Sequence, residues 1–261
     1  MPAKITAIDV TKTYASADGD VLALDNFNLT VETGEFVCIV GPSGCGKSTF
    51  LRIVAGLVEP TSGTITITPG DDPSRPSNNI VFQEYAIFPW KTVLDNVAFG
   101  LQMRGYSKKE RLEVADMWLT KVGLRKFRNA YPHQLSGGMK QRVSIARALA
   151  NDPEVLLMDE PLGALDAQTR TVLQEELLQL WEETRKTVLY ITHSIDESIL
   201  LGDRVVLMTA RPGTHKQTFE VTIPRPRTLE TTATQAFSEL SYSIWQSLHD
   251  EVIRSMEAES V

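Results

Sequence analysis

Val37-Cys38-Ile39-Val40-Gly41-Pro42-Ser43-Gly44-Cys45-Gly46-Lys47-Ser48-Thr49 is the stretch on which the fold turns. Its first four residues are apolar and largely β-branched, which suits a strand buried on both faces of a parallel sheet. The next eight complete the spacing G-x-x-x-x-G-K-S. Glycines at Gly41, Gly44 and Gly46 let main-chain N–H groups turn inward and form a nest for phosphate oxygens. From Lys47 to about Ala55 the chain reads as a helix whose positive N-terminal end faces the same nest. Lys47 is placed to reach the β- and γ-phosphates of a nucleoside triphosphate, and the Ser48 hydroxyl to ligate Mg2+.

Two further strands end on groups that suit the same crevice, since open α/β sheets bind ligands at the carboxyl ends of their strands. Val155-Leu156-Leu157-Met158 delivers Asp159 and Glu160. Asp159 suits the Mg2+ shell through water, because that ion takes few protein oxygens, and Glu160 is then free to act as general base on a water. Thr187 to Thr192 is the other strand, and it ends at His193, which can hydrogen-bond a γ-phosphate and orient that water; a structural histidine is the alternative reading. Leu135-Ser136-Gly137-Gly138-Met139 forms a second anion-binding helix start, one that the first loop does not use in cis. An ATP site built from two halves, closed by dimerisation, follows from that pair of motifs.

The whole pattern resembles the nucleotide-binding subunit of an ATP-binding cassette (ABC) transporter, and the match runs from Ile5 to about Pro226. By that resemblance Tyr14 stacks on adenine and Gly41 to Thr49 is the Walker A loop. Gln83 is the Q-loop glutamine that contacts Mg2+ and senses the membrane partner. Leu135 to Met139, with Ser136, Gly137 and Gly138 and continuing through Lys140-Gln141-Arg142, is the ABC signature. Asp159 with Glu160 is Walker B and its catalytic glutamate. Asp166, in Ala164-Leu165-Asp166, belongs to the D-loop, and His193 is the switch histidine. Gly163 stands where many members carry serine, and Lys140 replaces a common glutamine. The implied fold is a P-loop (RecA-like) α/β ATPase core with an antiparallel β-subdomain and an inserted helical subdomain that carries the signature. The implied cofactors are ATP and Mg2+. The implied partners are a second copy or a homologous ATPase subunit, transmembrane permease subunits and, indirectly, a periplasmic or lipid-anchored solute-binding protein.

Composition agrees. The 261 residues carry a net charge of −7, and no basic block tracks a nucleic-acid backbone. No run approaches the roughly 20 apolar residues that span a bilayer, and the first residues lack a signal-peptide core. The expected location is therefore the cytoplasmic face of the plasma membrane, held there by partners. Cys38 and Cys45 are the only cysteines, too few for a disulfide framework. The helix start beside Cys45 could lower its thiol pKa and make it oxidation-sensitive, but an ordinary small loop residue is the preferred reading.

The expected organisation is one domain. Residues 1–88 and 153–215 make the core with its β-subdomain, 89–152 the helical subdomain and 216–261 a short C-terminal extension. Strands are expected over 5–10, 21–31, 64–68 and 79–83, with a polar loop at 71–78. Helical spacing covers 111–121, the run after Ser136 to Ala150, and the set Leu173, Leu177, Leu180 and Trp181. Phe237, Leu240, Ile244, Trp245 and Leu248 predict an amphipathic terminal helix. In Tyr85-Ala86-Ile87-Phe88-Pro89-Trp90, Phe88 is expected in a joint and Trp90 exposed. About 50 residues follow Met208, too few for the regulatory β-domain of sugar-importer ATPases. Met208 to Thr214, Ile223-Pro224-Arg225-Pro226-Arg227 and Phe88-Pro89-Trp90 resemble the nitrate/sulfonate/taurine/bicarbonate importer branch; Pro-Arg-Pro-Arg also reads as an extended solvated linker. A soluble ABC ATPase uncoupled from transport is the alternative function. So is a cassette that binds ATP without hydrolysing it, which intact Glu160 and His193 disfavour.

Overall fold

The computed structural model describes residues 2–16 and 19–259. In chain order, β1 is Ala3–Tyr14, β2 Val21–Glu32 and β3 Phe36–Val40, followed by α1 (Lys47–Val54) and β4 (Ser62–Ile67). Next come β5 (Asn78–Val81), α2 (Val93–Val97), α3 (Phe99–Met103), α4 (Lys108–Lys121), α5 (Gly137–Ala150) and β6 (Val155–Asp159). The rest is α6 (Ala167–Thr184), β7 (Thr187–Ile191), α7 (Ile195–Leu201), β8 (Arg204–Met208), β9 (His215–Glu220) and α8 (Gln235–Glu259). Contacts group the chain into two compact units, residues up to 68 with those from 181 onward, and residues 69–180.

In the first unit β1 pairs antiparallel with both β2 and β4, broken by several bulges. Its second sheet is built on β3, which pairs parallel with β7 on one side and β8 on the other. Every residue of β3 and β7 is buried, which is why both read as continuous apolar runs. Phe27 of β2 meets Phe50 of α1 with ring centroids 4.5 Å apart, tying the phosphate-loop helix to the antiparallel sheet.

Three elements of this unit were not legible in the sequence. β8 is a five-residue strand that pairs with β9, and β9 reads as polar because it is an antiparallel edge strand with one half-buried face. α7 is short, although Ser194-Ile195-Asp196-Glu197 has the S-x-x-E spacing of a helix start and Ser194 Oγ does accept the Glu197 N–H. The terminal amphipathic helix is present as α8, whose Phe237 and Ile244 enter a core with Ile199, Val205, Leu207 and Phe219. Burying two such side chains stabilises the dock by about 2 kcal/mol each. Trp245 departs from expectation: one residue past Ile244 it is turned about 100° away, and it is exposed, with the His249 ring tilted against it at 4.8 Å.

The linker reading of Pro-Arg-Pro-Arg fails. Arg227 is 4% exposed and donates to the carbonyls of Ile199, Val221, Gly202 and Ile223. Arg225 lies 4.1 Å over the Trp181 ring and bonds Asp203.

In the second unit β5 pairs parallel with β6. The strand expected over 79–83 stops at Val81, so Gln83 lies in a loop. α4 begins with a full capping box between Ser107 and Glu110. α5 buries Val143, Ala146 and Leu149 as its spacing predicted. Arg147 instead reaches sideways to the Ala86 carbonyl at 2.7 Å and over the Phe88 ring.

Candidate active site

The phosphate loop leaves the end of β3 and winds into α1. Gly46 sits at φ 106°, and a methyl there would lie 2.6 Å from the Ala23 carbonyl oxygen, so both backbone and space require glycine. Inside the turn Lys47 is 6% exposed, and its ammonium donates to the carbonyls of Gly41 and Pro42, each at 2.8 Å. The loop thus closes around its own cation. Pro42 is buried, Ser43 and Gly44 are exposed, and Ser48 and Thr49 lie half-buried in the first turn of α1.

Cys45 is buried beneath the loop, and burial raises its thiol pKa more than Lys47 lowers it. Of the two readings of Cys45 the low-pKa thiol therefore fails: desolvation outweighs the helix end. Gly213 supports the loop from outside, donating to the Ala23 carbonyl at 3.0 Å, and a side chain at 213 would collide with the Cys45 carbonyl. In the sequence Gly213 stands out only within the Met208 to Thr214 stretch, because its contact with the loop is made far along the chain. Tyr14 ends β1, with its ring exposed and the Lys12 ammonium 5.1 Å above it. His193 follows β7 directly and is exposed.

The other candidates lie in the second unit. Asp159 ends β6 and is buried. Glu160 follows at φ 44°, a left-handed conformation that costs a non-glycine residue about 1–2 kcal/mol and so marks a constrained position. Its carbonyl accepts the Gly163 N–H at 3.0 Å, closing a tight turn. A methyl on Gly163 would stand 3.6 Å from both Gln83 Nε2 and Glu160 Oε2, so this glycine lies where those two side chains converge. The position that departs from the family's usual serine is thus part of the cluster. Asp166 caps α6 by accepting the Thr169 N–H at 3.0 Å, and the Thr169 hydrogen bonds hold its carboxyl below the usual range.

Ser136 caps α5, its hydroxyl accepting the Met139 N–H at 3.4 Å, and it is exposed. Gly137 and Gly138 open the helix with half-buried backbone, and Tyr85 Oη would touch a methyl on Gly137.

A sequence profile of the family described as ABC transporter matches residues 24–163, more than half of the chain. The chain belongs to the ABC transporter ATP-binding family. This cassette is 49% identical to an uncharacterized ABC transporter ATP-binding protein of Methanocaldococcus jannaschii, over 98% of its own length and 95% of the relative. It is 49% identical to a nitrate import ATP-binding protein of Synechocystis, over 83% and 82%. A third relative is an aliphatic sulfonates import ATP-binding protein of Bacillus cereus, 43% identical over 91% and 93%. Among solved structures, a dimeric ATP-binding cassette in a post-hydrolysis state with ADP and Pi is 38% identical. It superimposes with a TM-score of 0.73, over 83% of this cassette and 98% of that chain. The expected P-loop ATPase core is therefore the observed fold, and the cassette is an ATPase that binds ATP.

Proposed function

We propose that this cassette is the ATP-hydrolysing subunit of an importer for a small anion of the nitrate, sulfonate, taurine or bicarbonate type. The observation that carries the reading is the likeness, over more than four-fifths of both chains, to subunits named for nitrate and for aliphatic sulfonate import. Among the described residues no helix is long and apolar enough to cross a membrane. Solute passage then belongs to transmembrane permease subunits, fed by a solute-binding protein, with the cassette peripheral on the cytoplasmic face. Trp90, 71% exposed at the end of the segment that starts at Gln83, offers these permeases an anchor. Phe88 meanwhile is half-buried against Phe99, ring centroids 4.6 Å apart.

In the proposed cycle the nest from Gly41 to Thr49 cradles the phosphates, Lys47 neutralises them and Tyr14 stacks on adenine. Ser48 and Asp159, with Gln83, supply the oxygen donors for Mg2+. Among the described residues no group of three or more acidic, histidine or cysteine side chains could hold a metal. A set of few, hard oxygens fits an ion that completes its shell with phosphate and water. Bound there, Mg2+ neutralises charge that develops on the phosphate oxygens. Glu160 takes the proton from the attacking water, and His193 hydrogen-bonds the γ-phosphate. Ser136, Gly137, Gly138 and Asp166 serve the nucleotide of a second copy or a homologous subunit in a head-to-tail dimer.

Removing the base should slow hydrolysis by about 10²–10⁴-fold while ATP still binds. Glu160→Gln with MgATP should therefore elute from a sizing column as a stable dimer; a monomer at saturating MgATP would remove the two-copy site. Trp90→Ala should lower solute uptake in cells more than it lowers ATPase activity of the isolated subunit. Equal losses, or normal uptake, would remove the coupling role given to Trp90, while failure of the cassette to co-purify with any polytopic membrane protein would favour a soluble ATPase.

A further inference from the structure

The residues around His193 form a closed ring of hydrogen bonds. Thr192, buried at the end of β7, donates its hydroxyl to Oε2 of Glu197 in a short contact. The same hydroxyl accepts the N–H of Ser194 at 3.0 Å. Ser194 Oγ in turn accepts the N–H of Glu197 at 3.2 Å, which closes the ring. His193 is the one residue spanned between the Thr192 and Ser194 members. The second carboxylate oxygen of Glu197 accepts the Tyr190 hydroxyl at 2.9 Å, from a ring with no exposure. At its other end α7 is held by Arg227, which binds the Ile199 and Gly202 carbonyls. The backbone on either side of His193 is thereby tied to a helix pinned at both ends.

Glu197 is 5% exposed, and burying a carboxylate costs stability that an apolar residue of like size on this helix face avoids. What the carboxylate supplies is direction. Without it the Thr192 hydroxyl is free to rotate away from the Ser194 N–H, and the Thr192–Ser194 turn loses its fixed shape. We propose that Thr192 and Glu197 are positioning residues that hold His193 at the angle needed to meet the γ-phosphate. The inference rests on His193 acting at that phosphate. Misplacing a reacting group by about 1 Å costs up to about 10²-fold in rate, with little effect on ground-state binding.

The test uses the full chain and measures ATP hydrolysis and ATP affinity for Thr192→Val, Thr192→Ser, Glu197→Gln and His193→Ala. Thr192→Val keeps the shape and removes the hydroxyl. It and Glu197→Gln should each lower kcat about tenfold or more with ATP affinity within about twofold, and Thr192→Ser should restore the rate. In the His193→Ala background Thr192→Val should cost nothing further, because a residue acting through His193 has nothing left to position. Hydrolysis by Thr192→Val at the wild-type rate, or the same fold loss in both backgrounds, would overturn the proposal in favour of a purely structural ring. If His193→Ala itself hydrolyses at the wild-type rate, the role given to His193 fails, while slow His193→Ala with normal Thr192→Val rejects the positioning role alone.

Discussion

Two helix starts in this cassette open with glycine, and they are built in opposite ways. At α1 the residue before the helix is left-handed Gly46, without a side-chain cap, and the turn closes on Lys47, whose charge the loop's own carbonyls hold in place. At α5 the residue before the helix is Ser136, extended and exposed, and the cap is its own hydroxyl. The first start carries a cation and is preformed. The second presents N–H groups and a hydroxyl, and its first cationic side chain, Lys140, comes only at the end of the first turn. A helix end alone offers an anion only about 0.3–1 kcal/mol when exposed, whereas hydrogen bonds to a charged group are worth roughly 1.5–3 kcal/mol. In the proposed cycle primary binding of ATP therefore belongs to the Lys47 loop, and the Ser136 start acts on a nucleotide already bound by another copy.

The sharpest way to break this distinction is Lys47→Ala. Losing the ammonium removes the main charge on the phosphates and the tie between Gly41 and Pro42, so ATP affinity should fall by about 10²-fold in calorimetric titration. Ser136→Ala should do something different and smaller. Hydrolysis should drop roughly tenfold as one donor to the transition state is lost, and helix capping should weaken by about 1 kcal/mol. ATP binding to the monomer should not change. If Ser136→Ala weakened monomer binding as much as Lys47→Ala, the two starts would be equivalent and the comparison would fail.

The smallest effect concerns Cys45 inside the first loop. Its raised pKa keeps the thiol neutral at pH 7 to 8, so iodoacetamide should leave it unmodified in the folded protein and label it fully after unfolding, read by mass spectrometry. The sign for stability follows: above the ordinary thiol pKa the unfolded chain loses this proton first, so stability falls as pH rises through that range. Rapid labelling at neutral pH would mean that the loop opens far more than its Lys47 contacts imply.

Much of this was legible in the sequence because it is local. The strand-loop-helix of the phosphate nest, the apolar runs of β3, β6 and β7 and the periodicity of α5 each depend on residues a few positions apart. Short-range sterics and hydrogen bonding set them whatever the rest of the chain does. Tertiary structure decided what depends on distant neighbours. It turned Pro-Arg-Pro-Arg from a candidate linker into the clamp on α7, because only the fold brings four orphan carbonyls to one guanidinium. It made β9 a strand by giving a polar segment an edge to pair with. It decided between the two readings of Cys45, since burial depends on what packs over a loop and not on the loop's own residues. It also brought Gln83 and Glu160, far apart in the chain, to either side of Gly163. The sequence by itself determined the family, the phosphate loop and the candidate chemistry. The fold alone determined which charges are buried, which side chains converge and how His193 is held, because desolvation and long-range contact have no counterpart in a linear string.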